Sequence, residues 1–440
     1  MNKSSTISLS VATAVGLGAI IGAGIFVLSG STIALAGSDA IIAFIAVGFV
    51  AVLIALQIGE LGTIMPNVQG ASYSFVYNAF GSELGFITGI IFYISSVVAI
   101  SAISLGFGAY LSSLLGISQS FSMYLAIPLI ALLAVMNLIG LKKAAKADFF
   151  LVIIKIAVLF VFVAFALYIA FVLGKFNPAN FVVSASQSGI GPIAAASIAI
   201  VFAYSGFQTI STFTSRVKGG PNAAAKAILL SVLLSLAVYV LIVISMMLLV
   251  PSSVYKVSTA DPISLALTSV SAPYALELLV GIGALIATIS ASLAMILRAS
   301  RIVYQLGKDG LLPKLLRKYN PKRDVSPNGV IVTTAIAIAF LFSGNIYIIA
   351  AISAFGTLFV YLMSSFALVH FRRIHKKSSF RSPFYPYISI ISILAILAFI
   401  AGMPAESLII NTIFIISLLL IYYFFMEYKH KKIVKIRLFR

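Results

Sequence analysis

The chain has 440 residues, 62% of them hydrophobic and only 9% charged, with a formal net charge of +19. An ordinary soluble domain is about 45–50% apolar and about 25% charged, so a soluble fold of this length cannot hide so much apolar surface. The basic residues lie in clusters between apolar runs rather than on one polar domain, which excludes a nucleic-acid surface. Cysteine is absent, and with it disulfides, thiolate metal sites and a cysteine nucleophile.

Inside a bilayer every backbone polar group has to be paired within the protein. The long uncharged runs suit helices rather than the alternating strands of a barrel. The expected fold class is therefore all-α integral membrane, with about twelve transmembrane helices. Lys3, the apolar stretch behind it and Ala34-Leu35-Ala36 before Gly37 imitate a cleaved signal peptide. That run is nevertheless long enough to span, since roughly 20 residues cross a bilayer.

In chain order, the apolar segments of the first half are Val11 to Ala36, Ala40 to Met65, Leu84 to Leu115, Ser122 to Ile139 and Phe149 to Leu173. Those of the second half are Ile193 to Phe213, Ala227 to Val250, Tyr274 to Leu297, Val330 to Phe342 and Ile346 to Val369. Tyr385 to Ile400 and Leu408 to Met426 follow. With the N-terminus inside, all of the 29 lysines and arginines except Lys155, Lys175 and Lys256 fall on the cytoplasmic side, which places both termini there. The dense clusters are Lys142 to Lys146, Arg298 to Arg323, Arg372 to Arg381 and the basic tail, residues 428–440. They serve as topology signals or attract acidic lipid.

Two spans are interrupted by small or helix-weak residues: Gly16-Leu17-Gly18-Ala19-Ile20-Ile21-Gly22-Ala23-Gly24-Ile25-Phe26 in the first and Phe202-Ala203-Tyr204-Ser205-Gly206-Phe207-Gln208 in the sixth. Interruptions at matching positions of two halves point to a transporter with an internal repeat and a midplane site. An unwound segment exposes amides at one half-helix end and carbonyls at the other, so it can hold a carboxylate and an ammonium together without a charged side chain. Gly18 and Gly22 also satisfy a small-xxx-small helix contact, and Phe202 is either a gate or a core aromatic. A nucleotide loop does not fit, because no strand precedes these glycines.

These motifs resemble the amino acid, polyamine and organocation transporter superfamily. The resemblance rests on Gly18-Ala19-Ile20-Ile21-Gly22-Ala23-Gly24-Ile25-Phe26, on Gly59-Glu60-Leu61-Gly62-Thr63-Ile64-Met65-Pro66 with Gly70-Ala71-Ser72-Tyr73, and on Arg301 through Pro313. It implies an inverted five-helix repeat, the fold of sodium-coupled leucine transporters, within one transporter domain over residues 1–427. The first repeat covers about 11–174, the second about 190–371, and two extra helices about 384–427. It also implies alternating access, with the substrate carboxylate on backbone amides near Gly22, Ala23 and Gly24. The ammonium would meet carbonyls near Ile20, Phe202, Ala203 and Ser205. Where the superfamily carries a Glu-Glu pair after the sixth span, this chain has Ser215 and Arg216 within Thr214-Ser215-Arg216-Val217-Lys218-Gly219-Gly220. Any coupling or gating that relies on those acids is thereby in doubt.

Lys155 lies inside the fifth span, where a lysine at the bilayer centre costs at least about 2.5–3.5 kcal/mol. In some proton-coupled members of the superfamily a fifth-helix lysine occupies the place of sodium. The resemblance then puts Lys155 on carbonyls near Gly18 as the coupling group, while the alternative is a lysine that snorkels to the interface. Glu60, Glu83 and Asp148 read as helix-end residues stabilised by capping and the helix dipole. Glu277 reads as a dipole partner or an attractor of cations. His370, His375 and His430 are too scattered for a metal site. The expected activity is proton-coupled uptake of amino acids across the cell membrane, with the proton as coupling ion and no other cofactor. An exchanger or polyamine carrier on the same fold is the alternative. A membrane-embedded sensor would carry a soluble output domain, and an enzyme a catalytic set within the spans. The sequence leaves the carried amino acid and the oligomeric state open.

Overall fold

The computed structural model describes residues 6–182, 189–256, 261–342, 346–374, 376–403 and 405–427. The basic tail, His375 and His430 lie outside these. The first apolar run forms three helices, Leu9–Ile20 (α1), Ala23–Val27 (α2) and Ser29–Ala36 (α3). Then come Asp39–Ile64 (α4), the short Ser72–Phe80 (α5), Ser82–Leu115 (α6), Ser122–Ile139 (α7) and Leu141–Leu167 (α8). The second half opens with Ile190–Ala203 (α9) and a 3₁₀ segment, Phe207–Arg216. It continues with Gly220–Leu249 (α10), Pro262–Ser269 (α11), Tyr274–Lys308 (α12), Pro327–Leu341 (α13) and Ile346–Arg373 (α14). Tyr387–Ala401 (α15) and Ala405–Ile421 (α16) follow.

Among the described residues nine helical stretches are long and apolar enough to cross a membrane, and three further apolar helices are shorter. Their exposed surface is itself apolar. Ile42, Ile45 and Phe49 on α4, Phe150, Ile153 and Ile154 on α8, and Ile390, Ile391, Leu394 and Leu397 on α15 are all exposed. Each set repeats at helical spacing and forms a stripe. A water-soluble helix turns such a stripe inward; here it faces lipid. The protein is a multi-pass helical membrane protein.

α10 packs on both α1 and α4, and α4 packs on α9; α8 lies against α1, α10 and α12, and α14 against α4, α6 and α9. α4 lies along α10, and α6 lies along α12. At about 1.5 Å per residue, the 35 residues of α12 run roughly 52 Å, well beyond the roughly 30 Å hydrocarbon core.

Two sequence expectations are corrected by these lengths. α12 continues past Leu297, so Arg298 and Arg301 are buried helix residues rather than loop charges. Arg298 Nε donates to Ser96 Oγ at 3.0 Å, and its guanidinium lies over the Phe92 ring. α8 begins at Leu141 rather than at Phe149, so Lys142, Lys143 and Lys146 ride on its first two turns. The helix tolerates these lysines because all three are exposed.

Glu60 is a third correction. It sits near the C-terminal end of α4, where the helix dipole disfavours a carboxylate, and it is fully buried. What holds it is Arg372, whose Nε lies 2.6 Å from Oε1, together with the Ser382 amide, which donates to Oε2 at 2.8 Å. The acid thus ties α4 to the end of α14 and to the segment before α15. Glu83 and Glu277, by contrast, lie in the first turns of α6 and α12 as expected. We predict that Glu60→Ala destabilises the protein by about 3 kcal/mol, the low end for a buried pair, because Arg372 keeps some solvent access. The thermal midpoint of detergent-solubilised protein checks this; an unchanged midpoint would leave the pair without a structural role.

Candidate functional site at the paired helix breaks

α1 ends when the Ile21 amide bonds the Leu17 carbonyl at 2.8 Å, and α2 restarts at Ala23 with no side-chain cap from Gly22. The leading amides of α2, including those of Ala23 and Gly24, have no carbonyl one turn earlier in their own helix. The second break follows Ala203. Tyr204 and Ser205 turn back onto Ile200 and Phe202 through amide bonds of 3.0 and 3.1 Å, and Gly206 then redirects the chain into the 3₁₀ segment.

The two breaks touch. Gly206 has φ +125° and lies so close to α1 that a Cβ would come within 2.6 Å of the Ala19 carbonyl oxygen. On the other side of the crossing, a Cβ on Gly24 would meet the Ala203 Cα at 2.4 Å. Both glycines are therefore required by space, and Gly206 also by conformation. Ile20, Gly22, Ala23, Gly24, Phe202, Ala203 and Ser205, singled out in the sequence, are brought together here and are all buried.

Side chains satisfy part of the stranded backbone. Tyr239, in the middle of α10, donates to the Ile20 carbonyl at 2.7 Å and to the Ala203 carbonyl at 3.0 Å. A phenol carries a single proton, so it serves the two carbonyls in alternation and always leaves one with spare acceptor capacity. Ser205 Oγ donates to the Phe202 carbonyl at 2.7 Å. Tyr239 was not singled out in the sequence, because a lone tyrosine in an apolar run carries no signal of its partner.

Lys155 is completely buried and does not snorkel. Its Nζ donates to the Gly18 carbonyl at 3.1 Å, to the Ile21 carbonyl at 2.6 Å and to Ser290 Oγ at 3.0 Å. An ammonium has three protons, and each has an acceptor. Ser290 in turn donates to Asp148 Oδ1 at 2.5 Å. The expectation that Asp148 caps a helix start is overturned: it lies eight residues into α8, is buried, and its carboxylate rests against Gly18. Asp148 and Lys155 are seven residues apart, two turns along one helix face. That spacing was legible in the sequence once the true start of α8 is known.

Below the breaks, the basic end of the bundle is closed by backbone and charge. The Ile7 amide donates to the Arg216 carbonyl at 2.9 Å, and the Lys218 amide donates to the Ile7 carbonyl at 2.8 Å. Arg216 and Arg301 both pair with Asp324, at 3.1 and 3.2 Å, and the Tyr319 hydroxyl donates to the same carboxylate. The position where the superfamily has an acid here carries a base, and the acid that answers it comes from the segment between α12 and α13.

Two substitutions and one control probe this geometry. Tyr239→Phe removes the one proton shared by the Ile20 and Ala203 carbonyls and should lower stability by about 1–3 kcal/mol, read as a reduced thermal midpoint. Gly206→Ala should prevent the crossing and abolish monodisperse folded protein on size exclusion. Gly191→Ala, where a Cβ meets nothing within 4 Å, should be silent.

The amino acid permease family model matches residues 11–436, nearly the whole chain. The chain is 27% identical to the methylthioribose transporter of Bacillus subtilis, covering 98% of this chain and 95% of that protein. It is 25% identical to the branched-chain amino acid permease of Lactococcus lactis, covering 95% and 94%. It is 27% identical to the branched-chain amino acid permease of Bacillus subtilis over 70% of this chain and 68% of the relative. Paired breaks held by backbone within a bundle of apolar helices, together with a match over nearly the full length, establish that this chain belongs to the amino acid permease family, a family of transporters and not of enzymes.

Proposed function

We propose that the protein carries amino acids across the cell membrane by alternating access, driven by protons, with both termini in the cytoplasm. The observation that carries this reading is Lys155, an ammonium buried at the first helix break and bonded to the carbonyls of Gly18 and Ile21. An intramembrane ionisable residue facing the bundle interior marks an ion or substrate pathway. Its link through Ser290 to Asp148 supplies a second group to share the proton.

In this reading the nine long and three shorter apolar helices make twelve spans. The repeats are residues 11–174 and 190–371, each opening on a broken helix, and α15 and α16 are the two extra helices. The packing of α4 along α10 and of α6 along α12 supports the pairing, since these are equivalent helices of the two repeats. The carboxylate of the substrate meets the amides of Gly22, Ala23 and Gly24. Its ammonium meets the carbonyls of Ile20, Phe202, Ala203 and Ser205, which requires Tyr239 to release one carbonyl to it. Phe202, buried at the second break, closes over the substrate. The branched-chain permeases among the relatives favour a neutral amino acid with an apolar side chain.

Radiolabelled uptake into proteoliposomes, with and without an inward proton gradient, tests the proposal. The panel holds neutral and cationic amino acids, a polyamine and methylthioribose. The expected result is gradient-driven accumulation of a neutral amino acid that is lost in Lys155→Ala while equilibrium substrate binding persists. Accumulation by that variant at the parent level, or uptake only into vesicles preloaded with amino acid, overturns proton coupling and leaves exchange.

A further inference from the structure

The start of α8 carries a pattern that transport does not use. Lys142, Lys146, Phe149 and Phe150 are spaced four, seven and eight residues from the first, so they lie on one helix face. That face forms one wall of an open cavity of about 330 Å³. Ile7, just before α1, Val11 in its first turn, and Lys218 close the opposite side. Among the described residues the lining holds three lysines and no carboxylate. Asp148, their neighbour in sequence, is turned inward onto Ser290.

Polarity changes along this wall in a fixed order. The lysines come first, at the exposed helix end, and the aromatic pair follows one turn deeper. Phe150 is itself exposed, and beyond it Ile153 and Ile154 continue the lipid-facing stripe. A cationic rim leading into an apolar trough that continues along the bilayer surface matches one occupant, a molecule with a negative head and a hydrocarbon tail. The beginning of α8 adds the partial positive charge of a helix N-terminus.

We propose that this cavity binds an anionic glycerophospholipid, its phosphate among Lys142, Lys146 and Lys218 and one acyl chain along Phe149 and Phe150. Because the wall includes Ile7, whose backbone is bonded to Arg216 and Lys218, the lipid clamps the start of α1 and the end of the 3₁₀ segment against α8. Each lysine beside an anionic headgroup contributes about fivefold in affinity. The site is independent of which solute is carried.

The sequence contains no tryptophan, so Phe150→Trp creates a single reporter. The protein is reconstituted in phosphatidylcholine with a small fraction of either brominated phosphatidylglycerol or brominated phosphatidylcholine, and fluorescence quenching is compared. The expected result is strong excess quenching by the glycerol lipid. That excess should fall by at least about tenfold when Lys142, Lys146 and Lys218 are all changed to Gln, and survive when all three become Arg. A matching thermal midpoint across the variants excludes misfolding. Equal quenching by the two lipids overturns the proposal. Full displacement by soluble glycerol 3-phosphate also overturns it, since it would assign the cavity to free phosphates.

Discussion

A helix can break inside hydrocarbon only if something else satisfies the backbone groups it strands, and this molecule is organised around that constraint. At the first break Lys155 holds the carbonyls of Gly18 and Ile21, and Tyr239 holds that of Ile20. At the second, Tyr239 and Ser205 hold Ala203 and Phe202. The donors arrive from α8, α10 and the broken helices themselves, so the site and the packing of the bundle are one structure. Tyr239 bonds to both breaks and so ties their positions together.

The same economy governs charge at the basic end. Glu60 and Asp324 are buried acids, and each gathers segments distant in sequence: Glu60 joins α4 to Arg372 and Ser382, and Asp324 joins Arg216, Arg301 and Tyr319. Buried carboxylates of this kind are tolerated because arginine and backbone donors surround them. The departure at Arg216 from the superfamily's acidic pair is absorbed here. An arginine at the end of the 3₁₀ segment needs an acid, and Asp324 supplies it while also neutralising Arg301 in the middle of a dense interior. Any cycle that opens this end has to part Ile7 from Arg216 and Lys218, and Arg216 from Asp324.

The basic face also separates two uses of lysine that composition alone merges. Lys142 and Lys146 are exposed beside an apolar trough, whereas Lys155, on the same helix, is enclosed by three acceptors. Their difference is one of helical phase: a shift of four residues from Lys142 keeps the lipid side, and a shift of thirteen turns the side chain toward α1.

The amino-acid sequence by itself determined the class, most span positions and both breaks, because apolar run length and clustered glycines are local signals read without knowing any neighbour. The residues at those breaks were legible for the same reason, and so was Lys155, since a lone charge in an apolar run is conspicuous. The sequence could not determine where a helix continues through its charges, which is why the start of α8 and the end of α12 were misplaced and Arg298, Arg301 and Asp148 misread. Nor could it reveal Tyr239, Ser290 or Asp324. Their roles exist only once α8, α10, α12 and the segment after it converge, since a hydrogen-bond partner carried by a separate element leaves no trace in local pattern. Tertiary structure decided those pairings because burial penalises a stranded carbonyl, ammonium or carboxylate, so each is met by a partner from whichever helix brings one near.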